Sequence, residues 1–136
     1  MKVVFDAGVV FSGAGWRGEA YLCLAAMARR RVIAFATPET LAELRRVVDE
    51  IGFQTRHAPF SILNGYYSTV KMVSPAPLGK RRSRDAKDDP YLACALAANA
   101  EVVVSRDQDL LVLEKPFGIG ITTPRALLTR LAKTGA

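Results

Sequence analysis

Residues 84–113 read R-D-A-K-D-D-P-Y-L-A-C-A-L-A-A-N-A-E-V-V-V-S-R-D-Q-D-L-L-V-L, and this stretch decides the architecture. Asp89-Pro90 predicts a helix start: Asp caps well, Pro suits the first helical position, and the residue before Pro avoids helical angles. Tyr91 to Ala98 is apolar and mostly small, which predicts a helix buried against a sheet and ended by Asn99. Val102-Val103-Val104 is a continuous β-branched run, the pattern of a strand covered on both faces. Asp107 and Asp109 follow at once, where a further short helix over 110–113 begins. Asp89 and Asp107 therefore stand at element ends on either side of one αβ unit, where ligands bind in parallel sheets. Carboxylates gathered there repel one another and call for a cation between them. Taken singly, each also has a simpler account as an N-cap contributing about 1 kcal/mol.

Outward from this unit the chain repeats the pattern. Lys2-Val3-Val4-Phe5 predicts a short buried strand ending at Asp6, a carboxylate placed as Asp107 is. A buried Asp at that position is costly without a partner. Val9-Val10-Phe11 starts a short helix or turn, and Ser12-Gly13-Ala14-Gly15 reads as a loop that matches no phosphate-binding motif. Residues 18–30 suit an amphipathic helix, with Tyr21, Leu22, Leu24, Ala25 and Ala28 at its apolar positions. Residues 32–36 predict a second strand, and Thr37-Pro38 starts the next helix as Asp89-Pro90 does. In that helix Leu41, Leu44, Val48 and Ile51 share a face, and Glu43 lies about 40° beyond Val47, on the border of the stripe. A border carboxylate can reach over the sheet edge while its helix stays packed; Glu43 alone also reads as solvated surface. A helix is expected over 57–73, with the single histidine, His57, at its start or on its surface. Val73-Ser74-Pro75-Ala76-Pro77 breaks it, with room for a short edge strand at its beginning. Ile121-Thr122 is a short last strand, and Thr123-Pro124 caps a final helix over 125–133. Short apolar strands alternating with helices imply a parallel sheet with helices on both faces, in one domain spanning 1–136.

Half of the 136 residues are hydrophobic and a quarter are charged, the balance of a globular chain rather than a disordered one. No apolar run approaches the roughly 18 residues that span a membrane. Three apolar residues before Asp6 are too few for a signal peptide. Cys23 and Cys94 lack metal-ligand spacing and fall in predicted buried helices, so a reduced, cytoplasmic protein is expected. The net charge is +6, with Lys80, Arg81, Arg82, Arg84 and Lys87 clustered against Asp85 alone and Arg29-Arg30-Arg31 forming a second group. A basic cluster by itself reads as solvated surface. Beside an acidic site, it suits a polyanionic substrate whose phosphates it would hold.

Asp6, Glu43, Asp89 and Asp107 come from separate segments that such a sheet could bring to one edge. Four carboxylates without His or Cys describe a hard-cation site for Mg²⁺ or Mn²⁺. Such ions lower the pKa of bound water and stabilise the charge of phosphodiester hydrolysis. The chain resembles the PIN-domain family, in particular the VapC-like prokaryotic toxins of toxin–antitoxin pairs. The likeness runs nearly end to end: the strand ending in Asp6, T-P-E-T-L-A-E-L around Glu43, R-D-A-K-D-D-P-Y-L-A-C-A-L-A around Asp89, V-V-V-S-R-D-Q-D-L-L at Asp107 and T-P-R-A-L-L at 123–128. It implies a three-layer α/β/α sandwich around a mainly parallel sheet of about four to five strands. It also implies a metal-dependent endoribonuclease, an RNA substrate, a small antitoxin partner and frequent homodimers. In the family's terms Asp6, Glu43, Asp89 and Asp107 are the catalytic, metal-binding acids, Asp109 matches a less regular fifth acid, and Ser105 a small hydroxyl that orders the site. The five cations at 80–87 would bind RNA. One departure stands out: the family's D-T-N after the first strand is Asp6-Ala7-Gly8 here. Loss of that hydroxyl and amide leaves a second expectation open, a weak or inactive PIN-fold module that binds RNA or a protein.

Overall fold

The computed structural model describes residues 1–55 and 60–134, with side chains for 1–50 and 61–134. His57 and the side chain of Ile51 lie outside the described residues. Among the described residues five strands form one sheet: β1 (Lys2–Phe5), β2 (Ile33–Ala36), β3 (Lys71–Met72), β4 (Val102–Val104) and β5 (Gly120–Thr122), in the order β3-β2-β1-β4-β5. Every pairing is parallel. Among the described residues seven α-helices surround it: α1 (Ala7–Gly15), α2 (Glu19–Ala28), α3 (Pro38–Thr55), α4 (Phe60–Thr69), α5 (Asp89–Ala98), α6 (Gln108–Leu111) and α7 (Pro124–Thr134). The arrangement is the expected three-layer α/β/α sandwich.

β1 and β4 sit at the centre, and their apolar runs show why. Val3, Val4 and Phe5, like Val102, Val103 and Val104, are buried without alternation, so both faces of these strands are covered. α5 lies across β1, β2 and β4, and its small residues permit that close approach: Ala93, Cys94 and Ala95 are all buried. Asn99 ends the helix in the left-handed region (φ 55°, ψ 42°), a conformation Asn tolerates, and turns the chain into β4. Burial pushes the Cys23 and Cys94 thiols up to about 12, so both are protonated packing groups at neutral pH.

Three local expectations are corrected. The Ser12–Gly15 segment is the last turn of α1, not a loop. Gly13 is there for contact: a Cβ on it would stand 2.7 Å from the Ala20 carbonyl oxygen and 2.8 Å from Leu24 Cδ1. In α2 the buried side chains are Ala20, Cys23, Leu24, Ala26 and Met27, whereas Leu22 and Ala28 are exposed; the stripe follows i, i+3, i+4, i+7 from Ala20. The helix expected to reach residue 73 stops at Thr69. Lys71 and Met72 pair instead with Phe35 and Ala36, two residues before the breaker segment.

From β1 the chain moves to one side of the sheet (β2, β3), and β4 and β5 fill the other side. The order thus reverses between β1 and β4, the place where parallel α/β sheets bind ligands beyond their carboxyl ends. α5 precedes β4 and runs back along it, so its N-terminus also lies at that edge.

Candidate active site

The β1–β4 register pairs Phe5 with Val104, and the Asp6 N–H continues the ladder to the Val104 carbonyl at 3.1 Å. Asp6 and Ser105 are therefore neighbours where both strands end. The Ser105 hydroxyl donates to Asp6 Oδ2, and Ser105 Oγ accepts the Asp107 N–H at 2.9 Å. A single buried serine thus ties the first strand's acid to the fourth strand's. Asp6 Oδ1 also accepts the Val9 N–H at 2.8 Å, capping α1, and Asp107 Oδ1 accepts the Asp109 N–H at 2.9 Å, capping α6. Capping and site roles coexist in both residues. Burial raises the Asp6 pKa above its ordinary value, outweighing the hydrogen bonds from Ser105 and Val9 that favour its charge.

Of the adjacent pair at the start of α5, Asp88 faces the other acids and Asp89 does not. Asp89 was expected to cap the helix and join the cluster. Its oxygens instead accept the Ser83 N–H at 2.8 Å, the Ser83 hydroxyl at 2.5 Å and the Arg82 N–H at 3.0 Å. Partial burial works against its charge, but these hydrogen bonds hold its carboxyl below the usual range. Asp89 organises the loop before it. Asp88 is 8% exposed, and its Oδ2 is buried without a hydrogen-bond partner. Burial first, then the facing carboxylate of Asp107, then Asp85 and Asp109, push the Asp88 pKa up to about 7.

Glu43 reaches the same place from α3. Its carboxylate is held by Arg46 one turn on, at 2.6 Å (Oε1 to Nη2) and 3.0 Å (Oε2 to Nε). That hydrogen-bonded pairing keeps Glu43 ionised below the ordinary range. Buried Tyr91 accepts the Ala7 N–H on its hydroxyl at 3.1 Å, joining α5 to the first turn of α1.

Asp6, Glu43, Asp88 and Asp107 line one cavity of about 500 Å³, with Tyr91 also in its wall and Arg46, Lys87 and Arg106 beside them. Asp85 lines it too; Asp89 and Asp109 do not. The basic loop divides by what each cation touches. Arg81 donates to the Ser83 and Arg84 carbonyls, and Arg82 to the Leu78 carbonyl at 3.1 Å while lying 4.9 Å over the Phe117 ring. Arg84 pairs with Asp109 at 2.9 Å. Of the five cations at 80–87, Lys87 is the one on the cavity wall. Asp88, Arg46, Arg106 and Tyr91 carry no sequence signal of their own beyond their place near strand ends or on the cavity side of a helix.

A divalent cation fits these residues. All the anionic donors are oxygens, the buried Asp88 Oδ2 lacks a partner, and the repulsion that raises the Asp88 pKa is what a cation would relieve. Fold and site together define an α/β/α domain with a carboxylate-lined cavity at the switch point of a parallel sheet. The chain belongs to the PIN domain family: the model of that domain matches residues 2–109. Its fold is similar to the crystal structure of PAE2754 from Pyrobaculum aerophilum, with a TM-score of 0.67 and 20% identity over 98% of this chain and 90% of that one. It is also similar to VapBC2 from Rickettsia felis, crystallised bound to a DNA fragment from their promoter. There the TM-score is 0.61 and the identity 14%, over 90% of this chain and 98% of that one. No match was found among curated proteins.

Proposed function

We propose that the chain is a metal-dependent endoribonuclease, with Asp6, Glu43, Asp88 and Asp107 as the acids that hold Mg²⁺ or Mn²⁺. The observation that carries this is the convergence of four separate segments on one cavity that buries an unpartnered carboxylate oxygen. Bound there, the ion would supply an activated water and offset charge on the phosphodiester. Asp88 takes the place in the quartet that the resemblance implies for Asp89. Ser105 fixes the Asp6 and Asp107 geometry through its two hydrogen bonds. Lys87 and Arg106, on the cavity wall, are placed to meet the phosphates, whereas Arg81 and Arg82 shape the loop.

The setting we infer is the cytoplasmic toxin of a toxin–antitoxin pair, restrained by a small antitoxin and capable of forming a homodimer. The family resemblance and the similarity to VapBC2 support it. Among the described residues no helix is long and apolar enough to cross a membrane.

A second reading, a PIN module that binds without turnover, rests on Ala7 and Gly8. Both line the cavity and neither brings a polar side-chain atom to it. The test is incubation of purified protein with a mixed RNA panel and Mn²⁺ or Mg²⁺, beside an EDTA control, Asp107→Asn and Gly8→Asn. Discrete fragments that require metal and fall at least about a hundredfold in Asp107→Asn are expected. Metal binding without cleavage, with cleavage appearing in Gly8→Asn, would establish the second reading instead.

A further inference from the structure

Phe117, on the segment between α6 and β5, is a large apolar side chain that the fold leaves 45% exposed. Among the described residues its ring is not part of the hydrophobic core. Its backbone is left-handed (φ 55°, ψ 23°), a region that bulky residues rarely occupy and that Gly or Asn would fill with less strain. A strained residue with no packing purpose points to function. The turn itself is firm: the N–H of buried Ile119 donates to the Pro116 carbonyl at 2.9 Å. Against the ring lies the Arg82 guanidinium, 4.9 Å from the centroid. Arg82 is fixed in turn, its Nε donating to the Leu78 carbonyl at 3.1 Å and its N–H to Asp89 at 3.0 Å. The outcome is an exposed aromatic ring backed by an anchored cation.

We infer that Phe117, backed by Arg82, is a stacking platform for one unpaired base of single-stranded RNA, to the side of the cavity. This rests on the reading of the cavity as a ribonuclease site and specifies the form of RNA it takes. Asp89, which binds the Arg82 N–H, directly follows Asp88 of the cavity wall, so platform and cavity share one loop. A strand held in the cavity reaches the ring along that loop, from Lys87 past Arg84 to Arg82. An aromatic face stacks on any base, and a guanidinium beside it adds to the attraction. In a duplex the bases are already stacked and paired, and the platform has nothing to hold. A protein partner would also cover the ring, but exposed Lys115 and the cations at 80–87 around it favour a polyanion.

Fluorescence anisotropy with labelled RNA of one sequence, single-stranded and duplex, tests this in Mn²⁺, with Asp107→Asn as the common background to slow cleavage. Adding Phe117→Leu is expected to weaken single-stranded binding at least about fivefold and duplex binding by less than about twofold. Phe117→Tyr should bind as the background does. Val112→Ala, which trims a similarly exposed apolar side chain nearby, should stay within about twofold of it. The slope of log affinity against log salt should be unchanged by Phe117→Leu, whereas Lys87→Ala should lower it by about 0.7. Single-stranded affinity within about twofold of the background in Phe117→Leu overturns the platform and assigns the ring to a protein partner. An equal loss on duplex RNA overturns it too. Metal-dependent cleavage by the unmutated chain beside either result would leave the nuclease reading standing. Ring-dependent binding without such cleavage would do the reverse.

Discussion

Asp88 is a carboxylate buried against other carboxylates, and the cost of ionising it is written in its pKa, raised from an ordinary 3.8 to about 7. The folded chain keeps this proton up to about pH 7, whereas the unfolded chain releases it near 4. The contribution of Asp88 to stability is therefore full below pH 4, falls as pH rises towards 7, and is absent above. Asn at this position carries no charge, so the loss disappears. Metal-free Asp88→Asn is expected to be more stable than wild type at pH 8 by about 2 kcal/mol, the gap closing by pH 4. Urea melts at both values check it, and a variant less stable at pH 8 would show that Asp88 is not under repulsion. At this scale Asp6 and Asp107 could be read as carboxylates that follow apolar strands, and Ser105 only through the family resemblance; all three lie together where β1 and β4 end. The sequence could not separate Asp88 from Asp89. Both precede Pro90, and the choice is made by the Ser83 and Arg82 N–H groups, which depend on the path of the loop.

Elements fit together here through small residues. α1 and α2 approach so closely that Gly13 has no room for a Cβ: the Ala20 carbonyl oxygen, a backbone atom, would be 2.7 Å away. Helix propensity alone favours Gly13→Ala by up to about 1 kcal/mol. The clash is with backbone and outweighs it, so Gly13→Ala is expected to destabilise the chain by about 1–3 kcal/mol. Chemical denaturation measures this, and a neutral or stabilised variant would contradict the packing described. The same contact explains why 12–15 reads as a loop: two glycines in four residues signal a turn by propensity, and only the partner helix reveals their purpose. β1, β2, β4 and the Asp89-Pro90 and Thr37-Pro38 helix starts were legible because apolar runs and proline act locally. β3 was legible only as room for a short edge strand at residue 73; its place at 71–72 was not, since those two exposed residues become a strand only by pairing with β2.

At the scale of the whole molecule, parallel order places the ends of β1 and β4 and the starts of α3 and α5 along one edge. Four acids far apart in sequence meet there. Asp88, and not its neighbour Asp89, lines the cavity with Asp6, Glu43 and Asp107, and it is the acid we propose for holding the cation. The most direct test is Mn²⁺-dependent RNA cleavage by Asp88→Asn and Asp89→Asn side by side, both checked for folding by circular dichroism. Asp88→Asn is expected to lose at least about a hundredfold in rate. Asp89→Asn keeps one oxygen, which serves the Ser83 N–H and hydroxyl but not the Arg82 N–H. It therefore loosens the loop without removing an acid from the cavity and should stay within about tenfold of wild type. Equal losses, or a larger loss in Asp89→Asn, would contradict the account.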